Sequence, residues 1–304
     1  MRFATQHFGN TMLAMLRESS SKAEDLTSKM STGRRVQRAS DDPIASVRLL
    51  LLESDTSMLT RYQTNIDTLS VRLQKNETHL DGMLDTVMSA HESLLAAADG
   101  SRSAADLNAL AGPLLTRLDN LKQAANAKDG DGDYLFSGTQ TDTAPIAYDP
   151  AALAGSRYSY AGNGELQQVV IGHGVMQTAN VTVEHLVDAM NKLDMAVAAM
   201  KDLEVDPSDP AVRGILTAAL DSLKTNGINA LSAKLSDLGG TQNTLSLMKE
   251  NHSAQVVANE QASDLVGGLD FAEAMVQLNN YMTATKGSYA IYARMNELSL
   301  FDVI

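Results

Sequence analysis

The sequence predicts a mainly α fold of long antiparallel helical rods or a coiled coil, with paired terminal helices and a small β-containing insertion domain. Three observations support this prediction. An apolar repeat with a spacing of seven residues runs through the first third of the chain, amphipathic stripes occupy both chain ends, and strand-like composition is confined to the middle. With 304 residues, of which 44% are hydrophobic, the chain is long enough to bury a core.

The longest predicted helix begins at Pro43 and ends near Ala98. Asp42 is expected to cap it, because proline disfavours a helical residue before it and suits the first helical position. Apolar residues recur along this helix at a spacing of seven: Leu52, Leu59, Ile66, Leu73, Leu80, Val87 and Leu94. This repeat is typical of a coiled-coil seam. A helix of this length measures on the order of 80 Å.

Three further helical stretches lie inside the chain, and one of them, from Leu186 to Met200, closes the β-containing middle. Leucines between Leu107 and Leu121 share one helical face, although Gly112-Pro113 is expected to kink or restart that helix because proline lacks a backbone N–H. A later stretch keeps helical apolar spacing from Ile228 to Leu245. The short turn after the longest helix would place the next helix antiparallel to it.

Both chain ends carry amphipathic stripes. The N-terminal stripe comprises Met12, Leu16, Ala23, Leu26 and Met30, and the C-terminal stripe comprises Met275, Leu278, Met282, Tyr289 and Tyr292, followed by Leu298, Leu300 and Phe301. Neither stripe has an obvious partner inside the chain except the other. The sequence therefore predicts two terminal helices that pair with each other and form an assembly interface.

The middle of the chain has the composition of a small β domain. Tyr134 to Ser137, Tyr158 to Tyr160 and Gln167 to Ile171 resemble strands, and Gly162-Asn163-Gly164 is a hairpin signal between the last two. Three domains are therefore predicted: terminal helices, a helical rod domain with a β-hairpin, and an outer insertion. Their bounds are 1–42 plus 275–304, 43–144 plus 211–274, and 145–210.

Composition and charge disfavour several classes of function. The net charge of -13 argues against nucleic-acid binding, which needs a basic face. No apolar run reaches about 18 residues, so we expect no membrane insertion, and the apolar stretch of a cleavable signal peptide is missing. The chain has no cysteine, which excludes disulfides, thiolate metal sites and cysteine nucleophiles.

No residue pattern supports catalysis or cofactor binding. The run from Asp129 to Asp133 resembles the start of a calcium-binding loop, but Tyr134 stands where that loop needs glycine and Gln140 where it needs glutamate. We interpret the run as a turn leading into a hairpin, with a weak cation site as the less favoured alternative. The histidines show no metal-ligand spacing. We expect no catalytic residue, no cofactor and no metal.

Arg34, Arg35 and Arg38 form a basic patch in an acidic chain. Two interpretations are open: the arginines belong to a solvated loop before the Asp42 cap, or they contact an acidic surface on a neighbouring subunit. Arg34 and Arg35 are therefore included with the terminal stripes in the predicted assembly interface.

Three segments carry a family resemblance. They are Met30-Ser31-Thr32-Gly33-Arg34-Arg35-Val36 followed by Ser40-Asp41-Asp42-Pro43-Ile44-Ala45, the segment from Gly132 to Thr141, and Leu298-Ser299-Leu300-Phe301-Asp302. They resemble, respectively, the N-terminal signature, the hairpin after the long helices and the C-terminus of the flagellin superfamily, in the form typical of its hook-associated members. The matches lie in order along the chain, and the acidic segment from about 145 to 205 is matched less closely.

The resemblance implies a structural adaptor subunit, not an enzyme, that joins the bacterial flagellar hook to the flagellin filament. It implies terminal helices paired as a coiled coil in the inner core of a tubular assembly, with the insertion projecting outward. The implied partners are the first hook-associated protein, flagellin, an export chaperone and the flagellar type III export apparatus, with self-association in a ring within the helical lattice. The implied location is extracellular, at the hook-filament junction.

Two alternative functions remain open at this point. A flagellin-type filament subunit would share the terminal helices but would polymerise alone. A secreted surface enzyme or metalloprotein would use the segment from 129 to 205 as its functional domain. Free polymerisation would favour the first alternative, and a tightly bound metal ion would favour the second.

Overall fold

The computed structural model describes residues 2–99, 102–202 and 206–301, with side chains described from residue 7 to residue 294 of these ranges. The α-helices are α1 (Arg2–Thr32), α2 (Pro43–Ala97), α3 (Ala104–Ala125), α4 (Leu186–Lys201), α5 (Pro210–Ser222), α6 (Ala230–Gly267) and α7 (Phe271–Phe301), and a π-helix (Leu223–Asn229) joins α5 to α6. The strands are β1 (Ile146–Tyr148), β2 (Tyr158–Tyr160), β3 (Gln168–Gly172) and β4 (Val175–Thr178). The predicted mainly α fold with a small β-containing part is confirmed.

The chain forms two compact units. The terminal unit combines Met1–Leu59 with Ala254–Ile304, and the central unit comprises Thr60–Ser253. The terminal unit contains α1, α7 and the adjoining ends of α2 and α6. The central unit contains α3, α4, α5, the π-helix and all four strands.

The core of the central unit is built on the predicted seam of α2. Ile66, Leu73, Leu80, Val87 and Leu94 are each no more than 1% exposed. A second row, three residues after members of this series, is also buried and comprises Leu69, Met83, Ala90 and Ala97. Asn76 occupies the same row with 0% exposure, and among the described residues neither of its side-chain amide atoms has a hydrogen-bond partner. The predicted long helix is confirmed, with one buried polar interruption.

Helix α6 lies against α2 with its own seven-residue seam. Leu231, Leu238 and Leu245 are buried, and His252 continues the spacing with 6% exposure. The His252 Nε2 atom lies 2.8 Å from the carbonyl oxygen of Ile171 in β3. This contact ties α6 to β3, whereas the His252 Nδ1 atom is buried and has no hydrogen-bond partner among the described residues.

Helix α3 differs from the expectation in one respect. It continues through Pro113 from Ala104 to Ala125, so the expected restart at Gly112-Pro113 is wrong. Ala111 and Leu114, on either side of the proline, are both 0% exposed, and Ser103 forms a capping box with Asp106 at the start of the helix. Burial on both sides of the proline offsets the loss of one helical hydrogen bond.

The strand pairing also differs from the expectation. β1 pairs with β2 and β3 pairs with β4, both antiparallel, so Gly162-Asn163-Gly164 does not form the predicted hairpin turn. A Cβ at Gly162 would lie 2.8 Å from the Ser137 carbonyl oxygen, and the Asn163 side chain accepts a hydrogen bond from the Thr139 N–H. This segment therefore packs against the loop that contains Ser137 and Thr139. Because of that packing, it does not form a hairpin turn between β2 and β3.

The segment from Tyr134 to Ser137 was predicted as a strand, which is wrong. Tyr134 forms only an isolated bridge with Lys128. Phe136 and Ser137 follow one another with 0% exposure, whereas a half-buried strand alternates buried and exposed residues. Packing of these consecutive residues into the core therefore replaces the predicted strand by irregular backbone.

The acidic run after α3 forms a turn. The Asp129 Oδ1 atom accepts hydrogen bonds from the N–H groups of Asp131, at 2.9 Å, and Asp133, at 3.1 Å. The predicted turn is confirmed, whereas the hairpin that it was expected to lead into is reduced to the isolated bridge between Lys128 and Tyr134. Among the residues that the structure describes, no group of three or more His, Cys, Asp or Glu side chains could hold a metal ion. Across the same residues, no helix is both long and apolar enough to cross a membrane.

Candidate assembly surface

Helices α1 and α7 pair antiparallel within the terminal unit. The N–H of Leu269 donates a hydrogen bond of 3.0 Å to the carbonyl oxygen of Gly33, and Arg34 forms an antiparallel bridge with Gly268. The end of α1 therefore lies beside the start of α7. Gly33 has a φ of 68°, a left-handed conformation that glycine adopts without strain at the end of a helix.

The face of α1 toward α7 is a regular seam. Its members alternate in steps of three and four residues and are Gly9, Met12, Leu16, Ser19, Ala23, Leu26 and Met30. Met12 and Leu26 are buried, whereas Leu16 and Met30 are half-buried. The whole N-terminal stripe that the sequence indicated thus lies on one face of α1.

The residues of the predicted C-terminal stripe lie partly in the seam of α7 and partly beside it. The seam of α7 consists of Ala274, Leu278, Tyr281, Thr285, Ser288 and Tyr292, which are buried or half-buried. Met275, Met282 and Tyr289 each directly follow a seam residue in the sequence, so they lie at the side of the seam. They are 55%, 46% and 57% exposed. Leu298, Leu300 and Phe301, also part of the predicted interface, lie outside the residues whose side chains are described.

The α1–α7 seam contains many small or polar side chains. Gly9, Ser19 and Ala23 on α1 bury little apolar surface, and so do Ala274 and Ser288 on α7. Because burial of apolar area is the main stabilising contribution to helix pairing, a seam of this composition is weak by itself. Met275, Met282 and Tyr289 are only about half covered within one chain. The pair therefore leaves apolar side chains exposed beside its seam.

A groove of 340 Å³ runs along one side of the α1–α7 pair. Its lining comprises Ser20, Ala23 and Glu24 of α1 and Met282, Thr285, Lys286 and Tyr289 of α7. The exposed methionine and tyrosine form its apolar part, and Glu24 and Lys286 contribute one charge of each sign. We refer to this feature as the terminal groove.

Arg35 links the segment between α1 and α2 to the end of α6. Its guanidinium group donates hydrogen bonds to the Val266 carbonyl oxygen, at 2.9 Å, and to Asp42 Oδ2, at 3.3 Å. The Arg35 N–H donates a hydrogen bond of 2.7 Å to the Gly267 carbonyl oxygen. Arg35 therefore has partners within its own chain, although it is exposed on the surface like Arg34 and Arg38.

The two aspartates before α2 bind backbone N–H groups. Asp42 Oδ1 accepts a hydrogen bond of 3.0 Å from the Ala45 N–H, and Asp41 Oδ2 accepts bonds of 3.1 Å from the N–H groups of Gln37 and Arg38. The pKa of both carboxyl groups is lowered, mainly because of these hydrogen bonds. Their stabilising contribution is complete at neutral pH and is lost as the pH falls below about 4 toward the lowered pKa values.

Substitution of Asp42 tests this arrangement. Asp42→Ala removes both the cap of α2 and the carboxylate partner of Arg35, so amide exchange in the first turn of α2 should become several-fold faster at neutral pH. Asp42→Asn is the matched control, because asparagine retains a capping oxygen but lacks the charge. Hydrogen exchange followed by mass spectrometry measures both variants, and unchanged exchange in Asp42→Ala would contradict the capping role.

Two features of this segment were not predicted from the sequence. Asp41 was noted only as part of a family signature, yet its carboxylate closes the loop before α2 through two backbone N–H groups. An aspartate three or four residues after potential donors is a recognisable signal of this kind. The contact of Arg35 with Val266 joins distant parts of the chain, and local sequence does not contain that information.

The comparison with protein families is decisive at both ends of the chain. Residues 3–141 match the bacterial flagellin N-terminal helical region, and residues 222–304 match the bacterial flagellin C-terminal helical region. The two matched regions together make up well over half of the chain. The chain belongs to the flagellin family.

Similarity to individual members of the flagellin family extends through the middle of the chain. The chain is 28% identical to flagellar hook-associated protein 3 of Escherichia coli and 26% identical to that of Salmonella typhimurium, in each case over 100% of this chain and 99% of the relative. The structure of a proposed flagellar hook-associated protein from Vibrio parahaemolyticus is 29% identical, covers 74% of this chain and 99% of its own, and has a TM-score of 0.66. Bacillus cereus FlgL, 20% identical, shares the fold with a TM-score of 0.57 over 70% of this chain and 99% of its own.

Proposed function

We propose that this chain is the structural adaptor subunit that joins the bacterial flagellar hook to the flagellin filament. One observation carries the proposal: the similarity to hook-associated protein 3 extends over the whole length of both chains. The matches to the flagellin family models cover the two helical end regions, residues 3–141 and 222–304. The proposal includes no catalytic role.

The proposed mechanism is assembly through the terminal unit. The predicted interface residues Met12, Leu16, Leu26, Met30, Leu278 and Tyr292 hold α1 and α7 together, and Met275, Met282 and Tyr289 face neighbouring subunits. Head-to-tail contacts of this kind allow a ring of one protein to continue a helical lattice built from others. Many weak contacts per subunit then sum to a strong assembly.

The proposal extends to specific partners. Association with hook and filament components follows from the hook-associated character of the relatives. We propose the first hook-associated protein as the partner on the hook side and flagellin as the partner on the filament side. A flagellar export chaperone and the type III export apparatus would deliver the chain to the flagellum without a cleavable signal peptide. Self-association would take place in a ring within the lattice.

The predicted three-part division describes the assembled state. The terminal helices, 1–42 and 275–304, would occupy the inner core of the tube. The rod domain, 43–144 and 211–274, would form the next shell. The insertion, 145–210, would project outward, where an acidic surface remains solvated.

A flagellin-type filament subunit is the alternative, and polymerisation distinguishes the two. An adaptor that recognises different neighbours at its two ends should not extend indefinitely by itself. We therefore expect the purified chain to stay unpolymerised under conditions in which flagellin from the same cells forms filaments, as measured by sedimentation and negative-stain microscopy. Long filaments made of this chain alone would support the alternative. A stoichiometric tightly bound metal ion would instead support the metalloprotein interpretation.

A further inference from the structure

The continuous helical segment from α5 into α6 does not keep the period of an α-helix. Leu223 and Leu231 both belong to the buried core with 0% exposure, although they are eight residues apart. Two α-helical turns take about seven residues, so an α-helix would turn these two side chains about 80° away from each other. The π-helix Leu223–Asn229 takes up the extra residue, because its backbone hydrogen bonds span five residues instead of four.

The two helices that the π-helix joins bury their faces on different partners. α5 packs against α4 and buries Val212, Leu216 and Ala219. α6 lies against α2, where the Gln242 Nε2 atom donates a hydrogen bond of 2.8 Å to Glu77 Oε2. An α-helix through the whole segment would turn the buried face of α6 by about 100° relative to that of α5. Only one of the two faces could then be buried.

Contacts on two sides fix the place of the extra residue. On the side of α2, a Cβ at position 227 would lie 2.5 Å from Val87 Cγ1, so the backbone approaches α2 more closely than any residue except glycine allows. On the side of α4, Asp188 Oδ2 accepts hydrogen bonds from the hydroxyl of Ser222 and from Asn226 Nδ2, the latter at 2.9 Å. The π-helix is therefore held between the two partners.

We propose that the π-helix is a conformational device that sets the rotational phase of α6 through one inserted residue, with Gly227 as the residue that makes room for it. The insertion lets α5 stay on α4 while α6 buries its seam on α2. The same phase determines which side of α6 stays exposed in the folded chain. This inference concerns the fold of the chain itself and does not depend on the adaptor function.

Deletion of Thr225 tests this role, because Thr225 is an exposed residue inside the π-helix. The deletion brings Leu223 and Leu231 to a spacing of seven, which is two α-helical turns, so the segment can continue as an α-helix with both faces buried. The melting temperature should therefore stay within about 5 °C of that of the native chain.

The matched control is deletion of Asn243, which is exposed in the regular part of α6. It turns Leu245 by about 100° relative to Leu238, and no inserted residue is available there to restore the phase. The melting temperature of this variant should fall by at least about 10 °C. The proposal thus predicts that the chain tolerates loss of one exposed residue in the π-helix but not in α6.

Both variants are purified as full chains, melted under circular dichroism, and compared by hydrogen exchange over Leu231–Leu245. Deletion of Thr225 should keep native protection in this segment, and deletion of Asn243 should lose it at least tenfold. Loss of the cooperative transition on deletion of Thr225 would overturn the proposal, whatever the control does. Equal tolerance of both deletions would also overturn it, because the position of the extra residue would then not matter.

Substitution at Gly227 tests the room for the insertion without changing the length of the chain. Gly227→Ala should lower the melting temperature, because its Cβ would meet Val87. Val87→Ala removes the methyl groups that the Cβ would meet, so the double variant should melt higher than the sum of the two single losses predicts. Strictly additive losses, or native melting of Gly227→Ala, would contradict the assigned role of Gly227.

Discussion

Ending the chain after Ala284 should abolish filament attachment in cells and leave the central unit folded. The truncation removes Thr285, Ser288 and Tyr292 from the seam of α7 and Tyr289 from its exposed edge. The central unit, Thr60–Ser253, contains none of these residues. Circular dichroism should therefore show that its helical signal and cooperative melting persist.

The truncated chain must first be detected in the culture medium, because truncation could also prevent export. Secreted, truncated chain that still supports normal filaments would refute the role of the terminal helices. Secreted chain whose central unit no longer melts cooperatively would instead show that α7 is needed for the fold of one molecule.

Single substitutions should reproduce the truncation without shortening α7. Met282→Glu and Tyr289→Glu each place a charge in the terminal groove, so filament attachment should be lost or strongly reduced. Thr283→Glu is the matched control, because Thr283 is exposed immediately beside Met282 and lies outside the groove lining. Attachment is scored by microscopy and motility, and an equal loss in the control would contradict an edge-specific role.

Leu80→Asp should cause the largest loss of stability. Leu80 is 0% exposed in the middle of the α2 seam, within a buried cluster that also contains Leu73 and Met83. An aspartate there would be buried without a partner, which costs about 4 kcal/mol or more. Leu73→Asp should behave in the same way. Thermal and urea unfolding of the purified variants measure the loss.

The control for Leu80→Asp is Val71→Asp on the same helix. Val71 is 55% exposed, so its replacement by aspartate should change the free energy of unfolding by less than about 0.5 kcal/mol. A melting temperature that is unchanged in Leu80→Asp would mean that the seam assignment is wrong.

The long helix and its core were predictable because their signals are local and repeated. Pro43 and Asp42 mark the start of α2, and the seven-residue series identifies the buried face without knowledge of its partners. Asn76 shows the limit of that reasoning. It lies in the buried row, but a polar residue gives no hydrophobic signal and was passed over.

The middle of the chain was predicted less well because its structure depends on distant contacts. A hairpin turn was expected at Gly162, but the strands on either side of it do not pair with each other. The neighbouring backbone of Ser137 leaves no room for a side chain at Gly162. The π-helix Leu223–Asn229 was not predicted either. A Cβ at Gly227 would lie 2.5 Å from Val87 of α2, a tertiary contact that no local pattern encodes.

The assembly surface was predictable as a set of residues but not in its geometry. Apolar residues occupy both the seam and the outer edge of α7, so one predicted stripe combined Leu278 and Tyr292 with Met282 and Tyr289. The remaining seam positions are filled partly by Thr285 and Ser288, which hydrophobic periodicity cannot detect. Only the pairing with α1 distinguishes the two sets.

Electron microscopy of cells that lack this chain tests the adaptor function most directly. An adaptor between hook and filament is required for attachment of the filament but not for completion of the hook. We therefore expect complete hooks without filaments, flagellin released into the culture medium, and restoration of filaments when the chain is supplied from a plasmid. Filaments of normal number and length on cells without the chain would contradict the adaptor function.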